Sequence, residues 1–363
     1  MTPRSGSPFR TPQSPGIAPA FQHPHSIPSS VRIAPEALAV LRRDYPAPRS
    51  AGGETGLQHA LRRNKLALLV CTGALELSSA EAERHERWLA AYRLRTTAIN
   101  LASLRATVAA SEVLDRSSVP HVTFKGPLQH ERLYGTAMAR PSGDADILAP
   151  PHAFRLAQRA LGAVGWTPTD RQGLWWRVFL GERHLERDGH AAVDLHAHLR
   201  QPGSPGPRGA SSLLDRARRQ RWAGHSVPVP DAVDDALIAS VNVAKALWHR
   251  EAAGGSLLDW RMATLRASRW RERADKQGLG AVADLVDRTA RAVLDGPADA
   301  DDERLIGMAL APWAVGDWPR RRSLLRTLCG SRGSAYWREA ARVGLAEGVR
   351  VATAPRRTAR AMP

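Results

Sequence analysis

The residues best suited to chemistry stand between His121 and Leu148, in the run HVTFKGPLQHERLYGTAMARPSGDADIL. Asp144 and Asp146 are followed by Ile147-Leu148, and in a β-strand the side chains at i and i+2 point to one face. Two carboxylates held side by side repel. In a cleft partly closed to water, one of them takes a proton unless a cation neutralises the pair. A divalent metal is the natural cation, because Mg²⁺ takes oxygen ligands and keeps positions for water and substrate phosphate. Two such ions can clamp the attacking and leaving oxygens of an in-line displacement, and that arrangement asks for a third carboxylate. The downstream segment HLERDGHAAVDLHAHL offers one. Asp188-Gly189 is a hairpin signal. In the arm after it, Val193, Leu195 and Ala197 alternate with Asp194, His196 and His198, so Asp194 is predicted to join Asp144 and Asp146.

The elements that must hold these side chains follow from the same stretch. Val122-Thr123-Phe124 reads as a short buried strand that turns at Lys125-Gly126. Leu128, Arg132 and Leu133 keep helical spacing, with Gly135 where a C-terminal cap belongs. A helix over 151–165, strands at Trp166-Thr-Pro-Thr and Trp175-Trp176-Arg-Val-Phe-Leu, and the Asp194 hairpin complete a small mixed sheet with helices on one face. Upstream, Ser78-x-x-Glu81 is a capping box. The absence of Gly and Pro between it and Pro120 predicts one long helix, whose Trp88, Leu89, Tyr92, Ile99, Leu104 and Val108 pack toward the catalytic strands. A short helix opens at Pro35 and another covers 57–72. Beyond the sheet, helices are predicted over 231–250, 256–269, 279–294, 301–311 and 335–346.

In order along the chain, Lys125-Gly126, Tyr134, Arg140-Pro141-Ser142-Gly143-Asp144-Ala145-Asp146-Ile147-Leu148 and Val193-Asp194-Leu195-His196 resemble the bacterial uncharacterised nucleotidyltransferase family of the DNA polymerase β-like superfamily. The resemblance covers roughly residues 55–345. Ala145 stands where a larger apolar residue is usual, and His198 near where an aromatic is common. Lys125-Gly126 stands in place of the superfamily's Gly-Ser. The resemblance implies an α+β fold: a small mixed β-sheet nucleotidyltransferase core with N-terminal helices and a C-terminal helical domain. It implies transfer of a nucleoside monophosphate from an NTP, ATP before the others, to a hydroxyl acceptor on a small molecule, peptide, protein, sugar or biosynthetic intermediate. Asp144, Asp146 and Asp194 would hold two Mg²⁺ ions, with Mn²⁺ as the substitute. Lys125, Gly126, Arg140, Ser142, His196 and Tyr134 would meet the nucleotide, Lys125 and Arg140 through phosphate oxygens. Asp259, in SLLDW, is expected to make a structural helix contact. An inactive nucleotide-binding regulatory or antitoxin-like protein, and a basic RNA- or DNA-binding module, are the competing readings.

Composition bounds the rest. The chain has 363 residues, 43% hydrophobic and 24% charged, enough for two packed units. The net charge of +17 suits an anionic partner. Only four of the 52 basic residues are lysines (Lys65, Lys125, Lys245, Lys276), so much of that charge reflects an Arg-rich composition. Lys125 gains from this contrast, because a lysine where the chain otherwise writes arginine points to a place where a compact point charge is wanted. Cys71 and Cys329 fit no metal spacing and read as free thiols of a reducing compartment. No apolar run approaches a membrane span and no secretory leader is evident, so a cytoplasmic protein is expected. The predicted organisation is a disordered segment over 1–33, a helical region over 34–118 packing on the core and a nucleotidyltransferase core over 119–200. A loop or linker over 201–230, a helical domain over 231–347 and a basic tail over 348–363 follow.

Overall fold

The computed structural model describes residues 31–43, 55–72, 77–169, 175–311, 318–330 and 333–353. Two short helices, α1 (Pro35–Arg43) and α2 (Gly56–Arg63), precede the 38-residue α3 (Ser79–Arg116). The capping box at the start of α3 forms: Ser78 Oγ accepts from Glu81 N–H while the Glu81 carboxylate accepts from Ser78 N–H. The helix expected over 57–72 is instead α2, a break at Asn64-Lys65, where Lys65 has φ 56°, and a 3₁₀ turn at Ala67–Thr72. Asn64 makes the break tolerable, because its side chain donates to Ala60 O and Leu310 O and accepts from Gly254 N–H.

Next come β1 (Val122–Thr123), α4 (Pro127–Tyr134), β2 (Asp144–Leu148), α5 (Phe154–Gly162), β3 (Thr167–Pro168), β4 (Glu182–Glu186) and β5 (Ala192–His196). They form a five-stranded sheet in the order β1-β2-β5-β4-β3. The β2–β5 pair is parallel and the other pairs are antiparallel. The strand expected at 175–180 is a correction: Trp176–Leu180 forms a π-helical turn that ends at Gly181, φ 62°. The alternation of β2 and β5 decides the two faces of the sheet. Ala145, Ile147, Val193 and Leu195 pack with Ala106, Ala110 and Leu114 of α3 and with Phe154, Ala157 and Leu161 of α5. The opposite face carries the carboxylates.

The segment 201–230, expected as a loop or linker, contains helix α6 (Ala210–Asp215) and a hairpin of β6 (Arg218–Trp222) and β7 (His225–Val229). Its tip, Ala223-Gly224, has φ 48° and 85°, the sign at both positions that a tight two-residue hairpin turn requires. The remaining helices are α7 (Ala232–His249), α8 (Gly254–Thr264), α9 (Trp270–Lys276), α10 (Gly280–Leu294), α11 (Ala300–Leu310), α12 (Trp318–Cys329) and α13 (Gly333–Ala352). Helix α9 was not foreseen.

Helices α1 and α2 do not pack on the sheet. Leu38, Leu41, Ala60 and Leu61 join Leu247, Leu257, Val286 and Val293 in the largest core, so α1 and α2 share one helical layer with α7, α8 and α10. Val31 and Ile33, placed by the sequence in a disordered segment, are buried in that core. The rest of that segment, 1–30, and tail residues 354–363 lie outside the described residues. Cys329 is a free thiol, and the Cys71 side chain lies outside the described residues. No described helix is long and apolar enough to cross a membrane.

Candidate active site

Gly126 begins the site. Its φ of 82° and ψ of −162° lie in a region essentially open only to glycine, and this turn carries the chain from the strand bearing Lys125 into α4. Pro127 then occupies the first turn of α4, and Gly135, φ 71°, closes it. The loop that leads into β2 is held from α3. Asn100 Nδ2 donates to Ala137 O at 2.8 Å and Arg140 O at 2.9 Å, and its Oδ1 accepts from Ser142 N–H at 2.9 Å. Ser103 Oγ donates to Asp144 O at 2.6 Å. Ser142 Oγ lies against Gly126, 3.4 Å from where a Cβ would stand.

Parallel pairing sets Asp146 directly opposite Asp194, and Leu148 opposite His196. One ligand atom each from Asp146, Asp194 and His196 falls within a 4.8 Å group able to hold a metal ion. Asp144 shares their face but stands outside that group, at the start of β2. Lys125 Nζ donates to Asp146 Oδ1 at 3.0 Å, and His196 Nε2 lies 3.0 Å from the same oxygen. The strand β4 adds a second row: His184 Nδ1 is 2.6 Å from Asp194 Oδ1, and Glu182 Oε2 is 3.5 Å from His196 Nδ1.

The electrostatics of this face are unbalanced. Burial would raise the Asp146 carboxyl, but the Lys125 ammonium and the His196 contact outweigh it and hold it well below the usual carboxylate range. The Asp146 charge, and then burial, push Asp144 above that range. Burial, and then the Asp146 charge, do the same to Asp194. The donor set therefore fits a divalent cation, since two of its three carboxylates are disfavoured as anions until more positive charge arrives.

Arg140 and Tyr134 are placed elsewhere. Tyr134 Oη–H donates to Asp259 Oδ1 at 2.8 Å, and Arg140 donates to both oxygens of the same buried carboxylate. Asp259 belongs to α8, so this cluster ties the loop before β2 to the helical layer. It is the structural contact expected of Asp259. The Nε–Nη2 edge of Arg140, a residue expected to contact phosphate, is given to Asp259.

Sequence reasoning passed over two further lysines. The Lys245 ammonium acts on Lys125, Glu182 and Asp146, and that of Lys65 acts on Arg140, Asp144 and Asp259. Three of the chain's four lysines thus converge here, while Lys276 pairs with Glu272 on the surface. The rarity of lysine was the signal that could have found them. A cavity of about 640 Å³ lies apart from this face, lined by Arg132, Arg218, Gln220, Asp231, Asp235 and Arg266 among others, and includes none of the carboxylates above.

Carboxylates from adjacent parallel strands, a lysine at a glycine turn and a helical layer facing them make a candidate metal site. The family model described as "Uncharacterised nucleotidyltransferase" matches residues 53–294, and the chain belongs to that family. No curated protein matches the chain.

Proposed function

We propose that this protein is a Mg²⁺-dependent nucleotidyltransferase that moves a nucleoside monophosphate from an NTP, ATP first, to a hydroxyl acceptor and releases pyrophosphate. The acceptor is a small molecule, peptide, protein or sugar, and the setting is the cytoplasm, where nucleoside triphosphates are supplied. The observation that carries this reading is the placement of Asp146 opposite Asp194 on parallel strands, with Asp144 on the same face. These three aspartates would hold two ions, with His196 as a further donor.

When bound, such ions neutralise phosphate oxygens and lower the pKa of an acceptor hydroxyl. Asp194, opposite Asp146 in the parallel pair, would join Asp144 and Asp146 in holding the ion that lowers the pKa of the acceptor hydroxyl. His184 holds that carboxylate in place through the 2.6 Å contact to Oδ1. Lys125, at the turn made by Gly126, is the point charge for the phosphates, with Ser142 beside it. Arg140 and Tyr134 position the loop before β2 through Asp259.

Binding of the four ribonucleoside triphosphates with and without Mg²⁺ tests this on the wild type and on Asp144→Asn, Asp146→Asn. Metal-dependent binding that the double variant loses is expected. Binding that is indifferent to both the metal and the substitutions would overturn the assignment.

A further inference from the structure

Helix α7 is mostly apolar, and most of its residues are buried. Its face toward the sheet carries Ile238, Val241, Asn242 and Lys245, at helical spacing, and these line a small recess with Lys125, His196, His198 and Gln201. Polar side chains within a buried helix normally find partners, as Ser240 does by donating to Ala236 O at 2.9 Å. Asn242 and Lys245 make no side-chain hydrogen bond or ion pair with any described residue. Lys245 also faces the Lys125 ammonium, and burial, then that like charge, lower its own pKa against the opposing pull of Glu182, Asp146 and Glu251. Two ammonium groups aimed at one recess are the mirror image of the carboxylates beside it. A half-buried cation that makes no direct ion pair is costly, and an anion in contact with it relieves that cost.

The size of the recess decides which anion. Its volume is about 20 Å³, enough for a single oxygen-sized group and too small for a nucleoside. An anion that reaches it must project one terminal oxygen while its body lies outside, next to Asp146 and Lys125. A polyphosphate tail meets that condition.

We infer that Lys245 and Asn242, with Lys125, form the seat for the terminal phosphate of a nucleoside triphosphate, so that α7 reads the length of the phosphate chain. This rests on the nucleotidyltransferase reading and adds to it a residue from the helical layer. Lys245 Nζ donates to a γ-phosphate oxygen and Lys125 meets the adjoining phosphate. The nucleoside monophosphate makes no contact there.

Calorimetric titration of the full chain with ATP and AMP in Mg²⁺, and with inorganic tripolyphosphate, tests the seat on wild type, Lys245→Met and Lys276→Met. Lys245→Met should weaken ATP and tripolyphosphate about tenfold or more, the scale of a lost charge-assisted hydrogen bond, and leave AMP unchanged. Lys276→Met should match the wild type. The unliganded Lys245→Met protein should melt no lower than wild type, because the change removes an unpaired half-buried charge. The seat is overturned if Lys245→Met binds tripolyphosphate and ATP as the wild type does, or loses AMP in equal proportion. Wild-type binding of ATP that Lys245→Met keeps would sink the seat and spare the nucleotide reading. Wild-type binding of tripolyphosphate, lost in Lys245→Met, with no preference for ATP would sink the nucleotide reading and spare the seat.

Discussion

Asp234 and Asp146 carry the same charge at similar depth, 0% and 6% exposed, yet their surroundings differ. In the helical layer each buried carboxylate has its own arginine. Asp234 accepts from Arg216 Nε at 2.8 Å and Arg273 Nη1 at 3.1 Å, Asp235 accepts from Arg132 Nε and Nη2 at 2.7 Å each, and Asp259 accepts from Arg140. On the sheet face, Asp144, Asp146, Asp194 and Glu182 have, among the described residues, one ammonium within ion-pair distance, that of Lys125, plus His184 and His196. One region closes its charges with planar forks that match a carboxylate on two sides. The other keeps them open toward a cleft. The first arrangement holds a fold together, and the second leaves room for a cation and an anionic substrate.

The largest effect should come from opening the closed region. Asp234→Ala leaves Arg216 without its carboxylate and should cost about 3 kcal/mol or more, the usual result of removing one partner from a buried pair. Urea unfolding measures this, and a loss under about 1 kcal/mol would mean that these forks are not structural after all. The next effect lies at the seam. Burial, and then the Lys245 charge, lower His249 to about 4 from its ordinary 6.5. A base depressed in the folded state keeps stability above its unfolded pKa and loses it as pH falls. The loss should run from about pH 6.5 down through about 4 and reach no more than about 3 kcal/mol. Melting temperatures across that window check the sign, and Lys245→Met should shrink the slope. The smallest effect sharpens the contrast. Asp144→Asn in metal-free protein should raise the urea midpoint by a gain on the order of 1 kcal/mol, because it removes a carboxylate whose charged form is disfavoured. If the change destabilises instead, the sheet face is as well compensated as the helical layer.

Several features were legible because their causes are local. The Ser78-x-x-Glu81 box, the Gly126 turn and the Gly135 cap each follow from the conformation of a few neighbouring residues. The alternation around Asp194 followed from strand geometry. The Trp175–Leu180 run misled for the same reason. Aromatic and β-branched composition reads as strand, while the tertiary contacts that hold the turn, Trp175 Nε1–H to Ala346 O and Arg342 to Phe179 O, come from a helix far along the chain. The 223–224 hairpin was missed because Ala223-Gly224 lacks the Asn-Gly or Asp-Gly signature.

The sequence alone determined which residues could do chemistry here: three aspartates in two strands of alternating pattern, and Lys125 set apart in an arginine-rich chain. Their types and spacing are properties of the backbone period, which needs no tertiary information. Only the tertiary structure decided the partners. It paired Arg140 with Asp259 across 119 positions, set Asp146 against Asp194 in register, and brought Lys245 to face Lys125. Such pairings depend on which distant surfaces bury one another. A charge keeps its chemistry from its residue, but its role comes from what the fold leaves opposite it.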